Sequence, residues 1–285
     1  MFPKRPVILT RVDGHGAIAN QFALDLANVK AGQTLVGGEI ETKNGVLTGI
    51  LVDNAVRLVS SKIPAQTEKQ ARQGLLDAQN NCFAGGLTTV VDCGVDFKTV
   101  ELMGKMNAEK KLKMRLYAML SDRRDNYAYL FKRGIIKTDW LNVRSFKLYA
   151  DGALGSRGAC LLHPYADRAN YFGFLLKDKN YYEAVMSKIA EHEGMQACTH
   201  AIGDSANREI LKIYGSILRG PNDRRWRIEH ALVINETDFD LFKKYAIVPS
   251  VQPTHATSDM YWAGQRLGKE AERGEIGRAS CRERV

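Results

Sequence analysis

The sequence has no CxxC pair. Its five cysteines, Cys82, Cys93, Cys160, Cys198 and Cys281, are scattered over 285 residues, which argues against a zinc ribbon or a thioredoxin-type motif. Cys82, Cys93 and Cys198 have apolar neighbours and read as buried free thiols, which fits a reducing, cytoplasmic setting. No apolar run is long enough to span a membrane. The opening Met1-Phe2-Pro3-Lys4-Arg5-Pro6 has no apolar stretch of the signal-peptide kind. No GxGxxG follows the first strand-like run and no Walker A loop occurs, which disfavours the common phosphate cradles. The formal charge is +9, yet there is no long Lys/Arg run and no basic patch interleaved with aromatics. That distribution reads as a solvated surface rather than a nucleic-acid site.

What remains is an ordinary globular composition, 45% hydrophobic and 26% charged, with enough residues for a large core. Residues 37–59 read as a β excursion, with Asn44-Gly45 as a hairpin turn between two alternating segments. After Pro64 strands and helices alternate. Strands are expected at 87–92, 112–120, 143–150, 195–202, 226–233 and 247–252, separated by helices at 97–111, 127–133, 181–193, 206–218 and 238–245. Repeated βα units of this length imply a parallel sheet, open or closed into a barrel.

Three of these strands carry a metal-capable side chain near their downstream end: Lys147, His200 and His230. Ligands at successive strand ends are how a (β/α) barrel assembles a metal site at one mouth. Alternation puts Ser145, Lys147 and Tyr149 on one face, Gln196, Cys198 and His200 on one face, and Trp226, Ile228 and His230 on one face. Taken singly, such a lysine is more often paired with a barrel carboxylate and such a histidine is a hydrogen-bonded core residue. As an ordered trio they point to a divalent metal, with zinc the natural partner of neutral imidazoles. Carbamylation would turn Lys147 into a carboxylate able to bridge two ions. Asp204 either caps the helix that follows or hydrogen-bonds a ligand histidine. Asp151 to Arg157 is a glycine-rich loop at the mouth, either shaping a substrate pocket or merely connecting.

The chain resembles the amidohydrolase superfamily, within it the family-3 branch that includes N-substituted formamide deformylase-like proteins. The resemblance rests on Leu9 to His15 with Asn20, Gly49 to Ala55, Phe146 to Arg157 with Pro164 to Asp167, Thr199 to Asn207, Arg227 to Ala231, and Ser250 to Ala256 with Asp259-Met260. It implies an incomplete TIM-like (β/α)8 barrel over residues 1–273, with a small β-hairpin insertion at 37–59. It also implies hydrolysis of an amide or formamide C–N bond by a metal-activated water, with one or two divalent ions, zinc foremost. Lys147, His200 and His230 correspond to ligands on the fourth, fifth and sixth barrel strands. Arg11, Asp13, His15, Asp151 and His255 are expected to handle a small amide-type substrate. No nucleic-acid or membrane partner is implied, and a homodimer is compatible. The family's first-strand HxH pair occurs nowhere in the sequence, and the resemblance ends before the aspartate of the eighth strand. The chain therefore reads as an internal fragment, inactive as given. Residues 274–285 read as a non-native or disordered tail. The competing readings are a degenerate barrel that only binds a ligand, and a barrel hydrolase of another bond, such as an ester or a cyclic amide.

Overall fold

The computed structural model describes residues 2–268, so the tail at 274–285 lies outside the described residues. An antiparallel sheet comes first. Its strands are β1 (Ile8–Thr10), β2 (Gly16–Ala19), β3 (Gly38–Lys43) and β4 (Val46–Asp53), in the order β1-β2-β4-β3. The expected hairpin is the β3–β4 half of this sheet. Asn44 and Gly45 both take left-handed φ, 53° and 76°, as a two-residue hairpin turn requires. The excursion does not stay extended to residue 59, because Val56–Ser60 is a short helix. Its Val56 and Val59 pack with Ala17, Ala19, Ala23, Leu24 and Leu51, forming a small core beneath the sheet.

The larger sheet consists of β5 (Thr89–Val95), β6 (Arg115–Ser121), β7 (Ile136–Lys137), β8 (Leu141–Tyr149), β9 (Gln196–Ala201), β10 (Arg227–His230) and β11 (Val248–Ser250). Six of these strands run parallel in the order β11-β10-β9-β8-β6-β5 and curl into a half-barrel, while β7 pairs antiparallel with β8. The connecting helices are Phe97–Ala108, Arg124–Arg133, Lys179–Ala190, Asp204–Leu218 and Phe239–Lys244. Several start on polar caps. Asp96 accepts the Thr99 amide at 2.7 Å and Asp178 the Tyr181 amide at 2.8 Å.

The core lies between these helices and the outer face of the half-barrel. Phe146, Leu148, Ala197, Ala201, Trp226 and Ile228 meet Met103, Met186, Ile210 and Tyr214 there. Two alternation rules break. In β8 the pairing with β6 slips between Tyr117 and Met119 (Asn142 pairs Tyr117, Ser145 pairs Met119), so one extra residue is accommodated. That bulge lets Leu141 and Val143 as well as Phe146 and Leu148 face the helices. In β10 the face expected inward is reversed, since Trp226 and Ile228 belong to the helix-side core. Trp226 also anchors there by donating Nε1–H to the Met195 carbonyl at 3.1 Å.

Between β8 and Lys179 the chain runs through residues 150–178 with one isolated bridge, Asp151 to Leu175. A connection of that length in a compact domain commonly carries function. It is anchored by a third cluster around Leu154, Tyr165, Ile202 and Val233. Among the described residues no helix is long and apolar enough to cross a membrane.

Candidate active site at the rim of the half-barrel

A cavity of about 910 Å³ opens where β5, β8, β9 and β10 end, and the Arg11–His15 loop of the antiparallel sheet forms part of its wall. Lys147, His200 and His230 all line it, together with Arg11, Asp13, His15 and His255. The two strand-end imidazoles lie 4.7 Å apart, centroid to centroid, and the His15 ring is 4.8 Å from His200.

Lys147 is 3% exposed. Among the described residues it forms no ion pair, and its Nζ lies 3.6 Å from the centre of the Tyr149 ring. The carboxylate that would have made this lysine a structural residue is engaged elsewhere, because Glu229 takes Arg227 Nε at 2.7 Å. Burial pushes the Lys147 amine down to about 8. A buried amine without a counter-charge is costly, so this geometry counts against the purely structural reading.

His200 is 1% exposed. Its Nε2 faces the Gly152 carbonyl at 3.4 Å and Asp151 Oδ1 at 3.5 Å, while its buried Nδ1 has no partner among the described residues. Burial, with the nearby Lys147 charge, holds the ring well below the ordinary histidine range, so it is neutral. His230 reaches the cavity by a different route. Since Arg227 and Glu229 take the inward face of β10, His230 turns inward through a left-handed backbone, φ 73°, followed by Ala231 at 46°. Its Nδ1 bonds to Gln252 Oε1, which also meets His255 Nε2 at 3.0 Å; His255 Nδ1 in turn meets Asp259 Oδ2 at 2.9 Å. Burial lowers the His230 ring to about 4.

Two expected residues stand elsewhere. Asp151 is wholly buried and does not line the cavity. Its oxygens accept the backbone amides of Ile202, Gly203 and Cys160 at 2.9, 2.8 and 2.9 Å, which ties the end of β8 to the end of β9. It therefore stands behind His200 instead of meeting substrate. Burial raises its carboxyl to about 7 despite those three donors. Asp204 does not reach a histidine. It begins its helix and accepts the Leu162 amide at 2.9 Å and the Ser205 amide at 3.0 Å. Cys93, expected buried, is exposed and lines the cavity, whereas Cys198 is buried.

Asp53, the partner of His15, was not among the expected site residues. Its carboxylate lies 2.6 Å from His15 Nδ1. The Asn54-Ala55 that follows gives no local hint of this, because the contact spans 38 positions.

The metal question can be tested on the donors themselves. No three His, Cys, Asp or Glu side chains gather round one point among the described residues. The set on offer is a buried amine without a counter-charge, a buried imidazole nitrogen without a partner, and a second imidazole held by one nitrogen only. Imidazole nitrogens suit a divalent transition ion such as zinc, and a buried His200 nitrogen without a partner is compatible with a ligand role.

A family model, described as amidohydrolase family, matches residues 1–280. The chain belongs to the amidohydrolase family. It is 32% identical over 284 residues to Protein LONG AFTER FAR-RED 3 of Arabidopsis thaliana, covering 94% of this chain and 48% of that protein. It is 30% identical over 283 residues to the putative amidohydrolase YtcJ of Bacillus subtilis, covering 95% of this chain and 52% of that one. The chain thus spans about half the length of the curated relatives it matches. In fold it resembles the crystal structures of two uncharacterized metal-dependent hydrolases. The one from Pyrococcus horikoshii has a TM-score of 0.73 at 23% identity, over 95% of this chain and 53% of that one. The one from Pyrococcus furiosus has a TM-score of 0.72 at 26% identity, over 95% and 55%. As an amidohydrolase-family chain, it places its antiparallel sheet and half-barrel around one shared cavity.

Proposed function

We propose that this amidohydrolase-family chain supplies part of the active site of a metal-dependent hydrolase acting on a C–N bond of a small amide-type substrate. The observation that carries the proposal is the meeting of Lys147, His200 and His230 at one cavity, with Lys147 lacking a carboxylate partner and His200 Nδ1 buried without one. Lys147 Nζ, free or carbamylated, His200 Nδ1 and His230 Nε2 would hold the ion. A divalent ion, with zinc the first candidate, supplies Lewis acidity and a nucleophile at neutral pH.

The chain's own residues do the rest of the work. Gln252 turns His230 so that Nδ1 faces Oε1 and Nε2 is left for the cavity. Asp151 holds the segment after His200 by its amides, fixing where that ring stands. Arg11 and Asp13 pair at the rim, and Gly14 closes the turn by donating its amide to the Arg11 carbonyl at 2.8 Å, which sets the His15 position. Arg11, Asp13, His15 and His255 would contact substrate. The HxH pair does not occur in the sequence, so the chain alone is expected to bind metal weakly and to turn over little substrate.

Metal analysis tests this. In equilibrium dialysis against zinc, the purified chain should hold zinc in excess of the surrounding buffer, and Lys147→Met, His200→Gln and His230→Gln should each lose most of that excess. Equal retention by all four proteins, or none by the unaltered chain, would reject the reading.

A further inference from the structure

The antiparallel sheet gives one face to its own small core and leaves the other bare. Ala17, Ala19 and Leu51 point into that core, so alternation turns Leu9, Ile18 and Ile50 to the opposite face. Leu9 pairs with Ile18 across β1 and β2, and Ile18 with Ile50 across β2 and β4, so the three stand in one row. They are 64%, 50% and 40% exposed. Neighbouring strands lie about 4.8 Å apart, which makes the row about 10 Å long. The solvated face of a half-buried antiparallel sheet normally carries polar residues at such positions, and a contiguous apolar row says more than a lone exposed leucine.

The row is the floor of a second cavity, about 790 Å³, whose opposite wall is the loop between Gly155 and Arg168. That wall is fastened to the sheet. Arg168 donates to Glu39 of β3 at 3.0 and 3.3 Å, across 129 positions of sequence. Asp53, at the end of β4 with φ 50°, sits against Gly152 and Gly158 of the same loop, where an added Cβ would collide with its carboxylate. The other charged groups of the groove are engaged as well. Arg157 donates to Asp167 at 3.0 and 2.7 Å, Arg11 to Asp13 at 2.8 Å, and Glu41 accepts the Thr48 hydroxyl at 2.6 Å. With its charges occupied in this way, what the groove offers a ligand is its aliphatic row.

The two cavities touch. Arg11 and Gly155 line both this groove and the rim cavity that holds Lys147, His200 and His230. Both are held at the junction: the Arg11 guanidinium lies along Gly16, where an added Cβ would come 3.8 Å from it, and Gly155 offers its carbonyl to Arg266 at 3.3 Å. We infer that the groove over Leu9, Ile18 and Ile50 receives the aliphatic tail of an elongated substrate whose polar head lies in the rim cavity, so that Ile18 and Ile50 set a preference for chain length. This rests on the hydrolase reading given above.

The test titrates the whole zinc-equilibrated chain with butanamide, hexanamide, octanamide and decanamide. A methylene laid on an open groove leaves about half its surface in water, so each should tighten binding about twofold, against about fourfold for full burial. Decanamide should then bind about fourfold tighter than octanamide. The double variant Ile18→Thr/Ile50→Thr keeps β-branching and alters exposed positions only, so it should fold. It should hold the same excess of zinc and bind butanamide as the unaltered chain does, with octanamide and decanamide within about twofold of each other. Methyl spectra locate the tail: the Ile18 and Ile50 δ1 resonances should move with decanamide and not with butanamide. A flat series, no binding of any amide, methyls that stay in place, or a gain that the double variant keeps would overturn the inference and leave the zinc site standing; a kept gain would put the tail on the rim cavity's own wall at Leu154 and Trp262. Ile18 and Ile50 methyls that move when protein concentration alone is raised would overturn it in favour of a second copy on this face. Failure of the unaltered chain to hold zinc would remove the hydrolase reading beneath it.

Discussion

Removing the carboxylate of Asp151 is expected to unfasten the rim of the half-barrel. Its two oxygens accept three backbone amides, from Ile202, Gly203 and Cys160, and the side chain is wholly buried. Asp151→Ala leaves three donors unpaired, at about 1–3 kcal/mol each. The sum is about 3–9 kcal/mol, and relief of the buried charge, visible in its raised carboxyl, moves the expectation to the low end, about 3–5 kcal/mol. Asp151→Asn keeps the shape and one acceptor oxygen. Placed at the Oδ2 position, that oxygen still serves Gly203 and Cys160, while the new NH₂ faces the Ile202 amide, costing about 1–3 kcal/mol. Against a typical total of about 5–15 kcal/mol, the alanine variant should be marginally folded and the asparagine variant intermediate. Equilibrium urea denaturation followed by far-ultraviolet circular dichroism gives both values from the midpoint at fixed slope. Hydrogen exchange localises the effect, with faster exchange at Ile202 and Gly203 than at the central amides of β8. Asp151→Ala within about 1 kcal/mol of the unaltered chain would refute the reasoning, as would equal losses for the two variants.

Three further outcomes follow from the same contacts. Gly203→Ala would drive a Cβ into the Cys160 backbone, so a loss of about 1–3 kcal/mol is expected, readable as a lowered melting temperature. His230→Gly should relieve a left-handed backbone and match or exceed the unaltered chain in stability, whereas His230→Val should fall below the glycine variant by about 1–3 kcal/mol; paired melts decide it, and both variants should lose zinc. Lys147→Met removes a buried amine that has no carboxylate partner among the described residues, so the metal-free variant should be more stable by about 1–3 kcal/mol, and a less stable metal-free variant in urea would show that the amine has a structural partner.

How far the site could be read from the sequence depended on the strand. In β9 simple alternation was enough: Gln196, Cys198 and His200 face one way, and Ala197 and Ala201 pack against the helices. The order of βα units was legible too, since short strand-like runs alternate with helical spacing, and two of the helices start on the side-chain caps Asp96 and Asp178. In β10 alternation pointed the wrong way. Alternation put Trp226 on the inward face with His230, yet the indole finds a carbonyl partner on the helix side, and an Arg227–Glu229 pair takes the interior. Only a backbone reversal at His230 brings the expected residue to the expected place. In β8 a bulge did the same upstream of Lys147. Asp53 was out of reach because its partner lies 38 positions away and its cradle, Gly152 and Gly158, lies in another unit altogether. The local rules thus fail where the backbone is bulged or left-handed; several left-handed residues merely close helices, as Asn28, Lys110 and Arg219 do, whereas His230 lines the cavity and Asp53 holds His15 there. That is the distribution expected when strain is retained because the site requires it, and it is an independent reason to regard His230 and Asp53 as held in place by the needs of one cavity rather than by those of the core.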